Sequence, residues 1–227
     1  MNEKLREEFN QWVLDGRSAQ LKLHHLSFVE EVIQRMKVRP RDRILEVGCG
    51  EGWAARLLAP LVPEGSVVGL DVSDEMIRKA RAQSAEFENL LFLWADAEEI
   101  PWQEKFFTHS LYIETLYYFE NPEKALREIY RVLAPGGAVW IVNHLSKENE
   151  LSLRWLEDFN VPVQLLSVEE YGELFRRCGF QEFVHCMIPD YSPDFERSYS
   201  RWFPDPAELH CFQELGALLL SAQRPPE

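Results

Sequence analysis

Five short apolar runs, each closed by a turn and followed by residues of helical period, constrain this chain more than any other feature. They are Ile44-Leu45-Glu46-Val47, Val67-Val68-Gly69-Leu70, Leu90 to Trp94, Ser110 to Ile113 and Val139 to Val142. The runs are mostly apolar on both faces, which a strand needs only when helices cover both sides of its sheet. A β-α-β-α rhythm of this kind predicts an α/β fold with a doubly wound, mostly parallel sheet. Helix starts fall where the rhythm requires them. Ser73 precedes Asp74 and Glu75, and Asn121-Pro122 offers an N-cap and an N1 proline for a helix running to about Ala134. Ser167 and Glu170 form a capping box whose helix stops at Cys178-Gly179. Two further runs, Phe183 to Ile188 and Leu215 to Ala222, bring the expected strands to seven, the last of them antiparallel.

Ahead of the first strand, Leu5, Phe9, Trp12 and Val13, then Leu26, Val29, Ile33 and Met36, recur at helical spacing and predict two amphipathic N-terminal helices. No internal repeat or low-complexity linker divides the 227 residues, so one domain is expected. Within it, residues 1–40 form a helical cover, 41–188 a ligand-binding core, 189–208 an aromatic segment, and 209–227 the last strand and tail. With 24 Lys+Arg against 38 Asp+Glu, the net charge of −14 disfavours a nucleic-acid partner. Arg35, Lys37, Arg39, Arg41 and Arg43 lead into the amino end of the first strand, opposite the edge where open sheets bind ligands. No apolar stretch nears the ~18 residues of a membrane span. Cys49, Cys178, Cys186 and Cys211 lack C-x-x-C spacing and follow no leader segment. The expectation is a cytoplasmic protein without membrane insertion, zinc site or disulfide framework.

Glu46-Val47-Gly48-Cys49-Gly50-Glu51-Gly52 occupies the first strand-to-helix turn. Glycines there let backbone N–H groups approach a ligand closely. Asp71 closes the second strand, 21 residues beyond Gly50, where a carboxylate can accept from both hydroxyls of a ribose. The pair suggests a nucleoside-containing cofactor. A dinucleotide fingerprint reads G-x-G-x-x-G, but Trp53 stands where the third glycine belongs, so a nicotinamide oxidoreductase is the lesser alternative. No Gly-Lys-Ser/Thr follows the loop, and Glu46 and Glu51 would repel a polyphosphate. An acidic rim suits a cationic ligand.

The stretch Ile44 to Gly52, followed by Gly69-Leu70-Asp71-Val72-Ser73-Asp74-Glu75-Met76, resembles the class I S-adenosylmethionine-dependent methyltransferases. The likeness is greatest to the small-molecule type that includes the ubiquinone and menaquinone enzymes. Ala95-Asp96-Ala97 is similar to the adenine contact of such enzymes. Tyr117 to Pro122 and Leu133 to Gly137 are similar to their helix entry and the turn before the fifth strand. The resemblance covers about residues 40–188 and implies a Rossmann-like fold with S-adenosylmethionine as cofactor. Carried over by position, it implies that Gly48, Cys49 and Gly50 lie against the methionine portion and that Glu46 orients its ammonium. Asp71 would hold the ribose, Val72 and Met76 would sandwich the adenine, Asp96 and Ala97 would meet its edge, and Tyr112 to Glu114, ending the fourth strand, would face the sulfonium. There is one departure: the family usually opens the fourth strand with Phe-Asp, where this chain has Phe107-Thr108.

A sulfonium is already an activated electrophile, so placement can supply roughly 7–11 kcal/mol of the barrier and no dedicated catalytic residue is required. Candidates for a base or orienting group are Glu114 after the fourth strand, His144 after the fifth, and the His24-His25 pair, with Asn143 beside His144. The sequence Glu114-Thr115-Leu116 in place of Asn-Pro-Pro-Tyr argues against methylation of adenine amines or glutamine amides, and no Pro-Cys supports a covalent cytosine mechanism. No His/Cys cluster at ligand spacing calls for a metal. Tyr191, Phe195, Tyr199 and Trp202 fall on one helical face, either as a substrate wall or as core packing. The expected activity is methylation of a small organic acceptor. The rival that keeps the fold is a cofactor-binding regulatory protein whose acceptor pocket is filled by its own side chains.

Overall fold

The computed structural model describes residues 2–191 and 202–227, apart from the side chains of Gln20, Leu21 and His24. Its strands are β1 (Arg43–Val47), β2 (Ser66–Asp71), β3 (Leu90–Trp94), β4 (Phe107–Ile113), β5 (Leu133–Asn143), β6 (Gln181–Ile188) and β7 (Ala217–Gln223). They form one sheet in the order β3-β2-β1-β4-β5-β7-β6. β1 to β5 pair in parallel, and β7 is antiparallel to both β5 and β6, so β6 runs the same way as β4 and β5. The helices are α1 (Glu3–Leu14), α2 (Leu21–Met36), α3 (Trp53–Leu58), α4 (Asp74–Ala82), α5 (Pro122–Val132), α6 (Val168–Arg177) and α7 (Pro206–Leu215).

Both faces of the sheet are covered, as the two-sided apolar runs require. Alternation along β1 sends Leu45 and Val47 into the layer beneath α5 and α6, and Ile44 into the layer beneath α2 and α3. Fully burying a side chain such as Phe28, Val32 or Leu126 stabilises by roughly 1.5–3 kcal/mol. Strand order reverses between β1 and β4, and the crevice at their carboxyl ends is where an open α/β sheet binds its ligand. The expected caps are present. Ser73 Oγ accepts from Met76 N (3.0 Å), Asn121 Oδ1 from Lys124 N (3.0 Å), and Ser167 with Glu170 closes both halves of its box.

Several boundaries differ from the sequence reading, each for a local reason. β4 starts at Phe107 because the Thr108 hydroxyl accepts from Arg43 N (3.0 Å) and donates to Arg43 O (3.2 Å), closing the strand end where the family's aspartate is missing. α5 stops at Val132, and Leu133 to Gly137 joins β5, because the Arg224 guanidinium gathers the carbonyls of Tyr130 and Leu133. Leu215 ends α7 instead of opening the last strand. The turn is made at Gly216, φ 64°, where a Cβ would stand 1.9 Å from the Ile188 carbonyl oxygen. No expectation covered α7 or the 3-10 stretch Glu150–Asp158. Most of the aromatic segment, residues 192–201 with Phe195 and Tyr199, lies outside the described residues. Among the described residues, no helix is long and apolar enough to cross a membrane.

Candidate active site

The carboxyl ends of β1, β2 and β4 open into a cavity of about 1010 Å³. Gly48, at φ 71°, makes its floor. A Cβ there would lie 2.1 Å from Thr115 Cγ2, so only glycine lets the chain after β4 pack directly on the loop. Asp71 ties the same loop to the start of α4: Oδ2 accepts from Gly50 N and Oδ1 from Ser73 N, both at 2.8 Å. Burial outweighs these bonds and lifts the Asp71 carboxyl to about 6. Glu46 is 2% exposed, and its Oε2 has no hydrogen-bond partner among the described residues. Burial, reinforced by the charge of Asp71, raises its carboxyl to about 8. A buried carboxylate oxygen without a partner, set in the wall of a cavity, fits a cationic ammonium.

Val72, Met76, Asp96 and Ala97 continue the wall from β2 and β3, with Met76 packed in apolar surroundings and Asp96 Oδ1 accepting from Glu98 N (2.9 Å). Cys49 also lines the cavity. Burial and the carboxylates of Asp71 and Glu46 keep its thiol well above the usual range, so it is an inert filler. Two expectations need correction. Glu51 is not part of an acidic rim: it is turned away from the cavity and held by Ser18 and by Lys79 Nζ at 2.9 Å. Tyr112 is fully buried in the layer beneath α5 and does not reach the cavity, because strand alternation places Ile113 there instead.

A cradle that excludes Cβ atoms, a buried carboxylate with one oxygen unpartnered and an aspartate at ribose height suit the methionine and ribose ends of S-adenosylmethionine. Residues 45–141 match the family described as a methyltransferase domain. An O-methyltransferase of Pyrenophora dematioidea is 32% identical over 66% of this chain, which spans 58% of that protein's length. The demethylmenaquinone methyltransferase of Listeria monocytogenes is 28% identical over 85% of this chain and 76% of its own. A chain from a solved Haloferax volcanii complex containing the Trm112 methyltransferase activator is 30% identical. It superposes with a TM-score of 0.86 over 96% of this chain and 98% of that one. The chain belongs to the class I S-adenosylmethionine-dependent methyltransferases.

When bound, the cofactor of this methyltransferase supplies a methyl group activated on a sulfonium. Glu46, Gly48, Asp71, Met76 and Asp96 are the residues that would hold it, and the cavity continues beyond them. Glu114 sits there with φ 53°, a left-handed conformation that costs a residue with a Cβ about 1–2 kcal/mol and turns the chain out of β4 toward the cavity. Around it stand Phe9 and Trp12 of α1, Tyr117, Trp155, Phe159 and Trp202, an aromatic chamber continuous with the cofactor site.

The other acceptor candidates divide. His25 and Trp202 line the cavity. Asn143 and His144 are fully buried and do not line it. Tyr191 is 64% exposed and lies off it, whereas the His24 side chain and Tyr199 fall outside the described residues. Phe203 is core, stacked on Phe212 at 4.7 Å. The sequence reading missed Tyr117, Trp155 and Phe159. Tyr117 stands three residues after Glu114, which is itself a signal, but Trp155 lies on a 3-10 stretch and Phe159 directly after it, with no periodic pattern to expose them.

Proposed function

We propose that this methyltransferase methylates a small organic acceptor held in the aromatic chamber, chiefly by proximity and orientation. The observation that carries the reading is the continuity of one cavity from Glu46 and Asp71 to Trp155 and Trp202. Its volume stands at the upper end of small-molecule sites, roughly 300–1,000 Å³, which gives room for cofactor and acceptor together. The chain's own work is to hold the two in line and to exclude water with the rings of α1, Tyr117, Phe159 and Trp202. An open chamber favours turnover over a purely regulatory cofactor-binding role. In this reading the chain is one cytoplasmic domain, with residues 1–40 and 189–208 as its substrate cover, and it engages neither nucleic acid nor membrane. A panel of phenols, amines and quinol-type acceptors, scored by formation of S-adenosylhomocysteine, tests it. Intact cofactor binding with no turnover on any small acceptor overturns it.

A second reading concerns assembly. β3 is an edge strand with Leu91 and Trp94 nearly half exposed, and such an edge is a template for strand addition by a partner. A chain 30% identical comes from a complex with a methyltransferase activator, which supports a small activator protein as the partner, and the exposed edge is where we place it. Co-expression with such a protein should raise solubility and turnover, and unchanged values would mean that the chain works alone.

A further inference from the structure

β4, β5 and β6 all run the same way, so the residues that follow them collect along one edge of the sheet. Glu114 follows β4, His144 follows β5 and Asp190 follows β6, and the three carry a continuous set of charged contacts. Glu114 Oε1 accepts from the His144 backbone N–H (2.6 Å) and lies 3.1 Å from His144 Nδ1. Glu114 Oε2 accepts from the Tyr117 hydroxyl (2.9 Å). On the far side, His144 Nε2 is 3.4 Å from Asp190 Oδ2, and Asp190 Oδ1 accepts from Ser27 Oγ of α2 (2.8 Å). Rings of Phe28, Trp155 and Phe212 wall the imidazole in. His144 and Asp190 are closed off from solvent, and of the three only Glu114 reaches the cavity.

Building on the methyltransferase reading above, we propose that Glu114 anchors the acceptor and that Tyr117, His144 and Asp190 position it, so that the chamber takes a flat acceptor presenting an O–H or N–H hydrogen, not a carboxylate or phosphate. Glu114 takes three contacts from two residues, His144 and Tyr117, and a carboxylate has roughly four acceptor positions, which leaves one for the cavity. Flanked by two carboxylates, the His144 imidazole is raised to about 9 despite its burial, and its hydrogen bond and charge lower the Glu114 carboxyl below the usual range against the opposing effect of burial. A buried ionic chain is poor value as a fold-stabilising device, since apolar residues of the same volume serve as well or better. A chain whose one open end faces a cavity at a left-handed residue is suited to recognition. The rest of the wall agrees. Arg17 and Lys124 are its lysine and arginine positions among the described residues, against Glu46, Asp71, Asp96, Glu98, Glu120 and Asp158, so an anionic acceptor meets repulsion.

The test uses the intact chain, with and without S-adenosylhomocysteine, and calorimetric titration of four probes: 2-naphthol, 2-naphthylamine, naphthalene and 2-naphthoate. The parent should bind 2-naphthol or 2-naphthylamine at least tenfold more tightly than 2-naphthoate, and the better of the two identifies the donor as oxygen or nitrogen. Glu114→Gln should lose about tenfold for that probe while naphthalene and S-adenosylhomocysteine bind as in the parent. Tyr117→Phe, which keeps the ring, should lose about threefold in the same pattern. In Asp190→Asn the His144 ring nitrogens, read by NMR near pH 7.5, should change from doubly protonated to a neutral tautomer, with a parallel loss of probe affinity. Unchanged binding of the donor probes to Glu114→Gln, tighter binding of 2-naphthoate to the parent, or a neutral His144 in the parent overturns the proposal. Loss of cofactor binding, or absence of turnover with the probe preferences intact, counts instead against the function proposed above, and the anchor is still scored.

Discussion

A buried carboxylate with one oxygen unpartnered carries a cost that grows with pH, and Glu46 shows how a cofactor site can turn that cost to use. Its folded-state pKa of about 8 lies above the ordinary 4.5, so the cofactor-free fold loses stability as pH rises through that window. Glu46→Gln should therefore raise the melting temperature of the cofactor-free protein near pH 8 while weakening S-adenosylmethionine binding. Since a bound ammonium favours the ionised form, binding to the parent near pH 7 should release a proton, which calorimetry in buffers of different ionisation enthalpy detects. A variant that loses stability and keeps its affinity refutes the assignment. Asp71 is coupled differently. Its two oxygens hold Gly50 N and Ser73 N, each bond to a charged group contributing roughly 1.5–3 kcal/mol, so Asp71→Ala should lower both melting temperature and cofactor affinity. Asp71→Asn, which retains one acceptor, should lie between. A drop in affinity with an unmoved melting temperature would mean that the loop does not depend on Asp71.

At the scale of elements, the stretch after β6 separates two aromatic roles that adjacent residues play. Phe203 is buried against Phe212, and Phe203→Ala should destabilise by roughly 3–5 kcal/mol. Trp202 is half-buried on the cavity wall, and Trp202→Ala should leave most of the stability and reduce acceptor binding instead. Melting temperature beside turnover distinguishes them, and equal stability losses would place both rings in the core. This contrast also marks what the sequence could reveal. Strands covered on both faces, three capped helices and the glycine loop are local patterns with period and punctuation, and they were legible. Glu114 and His144 were legible as polar ends of strands, but not which of them faces the cavity, because the left-handed turn at Glu114 leaves no mark in the sequence. Asp190 followed a recognisable strand, yet its partner lies across β7, a juxtaposition that only the strand order creates. Tyr112 misled because a resemblance fixes a position along a strand but not which face its neighbour takes.

Across the whole molecule, a net charge of −14 means self-repulsion that counterions relieve. Raising salt from ~10 mM to ~150 mM shortens the Debye length from about 30 Å to about 8 Å and should raise the melting temperature of the protein. A melting temperature that falls would show that pairs such as Arg154–Glu208, at 2.8 Å, outweigh the repulsion. The same balance should keep the protein from binding duplex DNA near physiological salt, measured by fluorescence anisotropy.

The docking of α1 sets a timescale as well as a shape. Asn10 Oδ1 accepts from Ser73 Oγ (2.6 Å), and Asn10 and Arg6 both donate to Asp74 (3.0 and 2.8 Å), so the helix that roofs the cavity is fastened to the turn that Asp71 holds from below. Leu5, Phe9 and Trp12 of that helix form the roof itself. If the fastening holds the roof over a molecule lodged beside Asp71, weakening it should shorten that molecule's residence. Asn10→Ala should shorten the dwell of S-adenosylhomocysteine in a stopped-flow displacement experiment far more than it slows entry. That outcome would mean that product escape waits on a helix lifting rather than on a bond breaking, with the clock of each cycle kept at the rim of the molecule, some distance from where the methyl group changes hands.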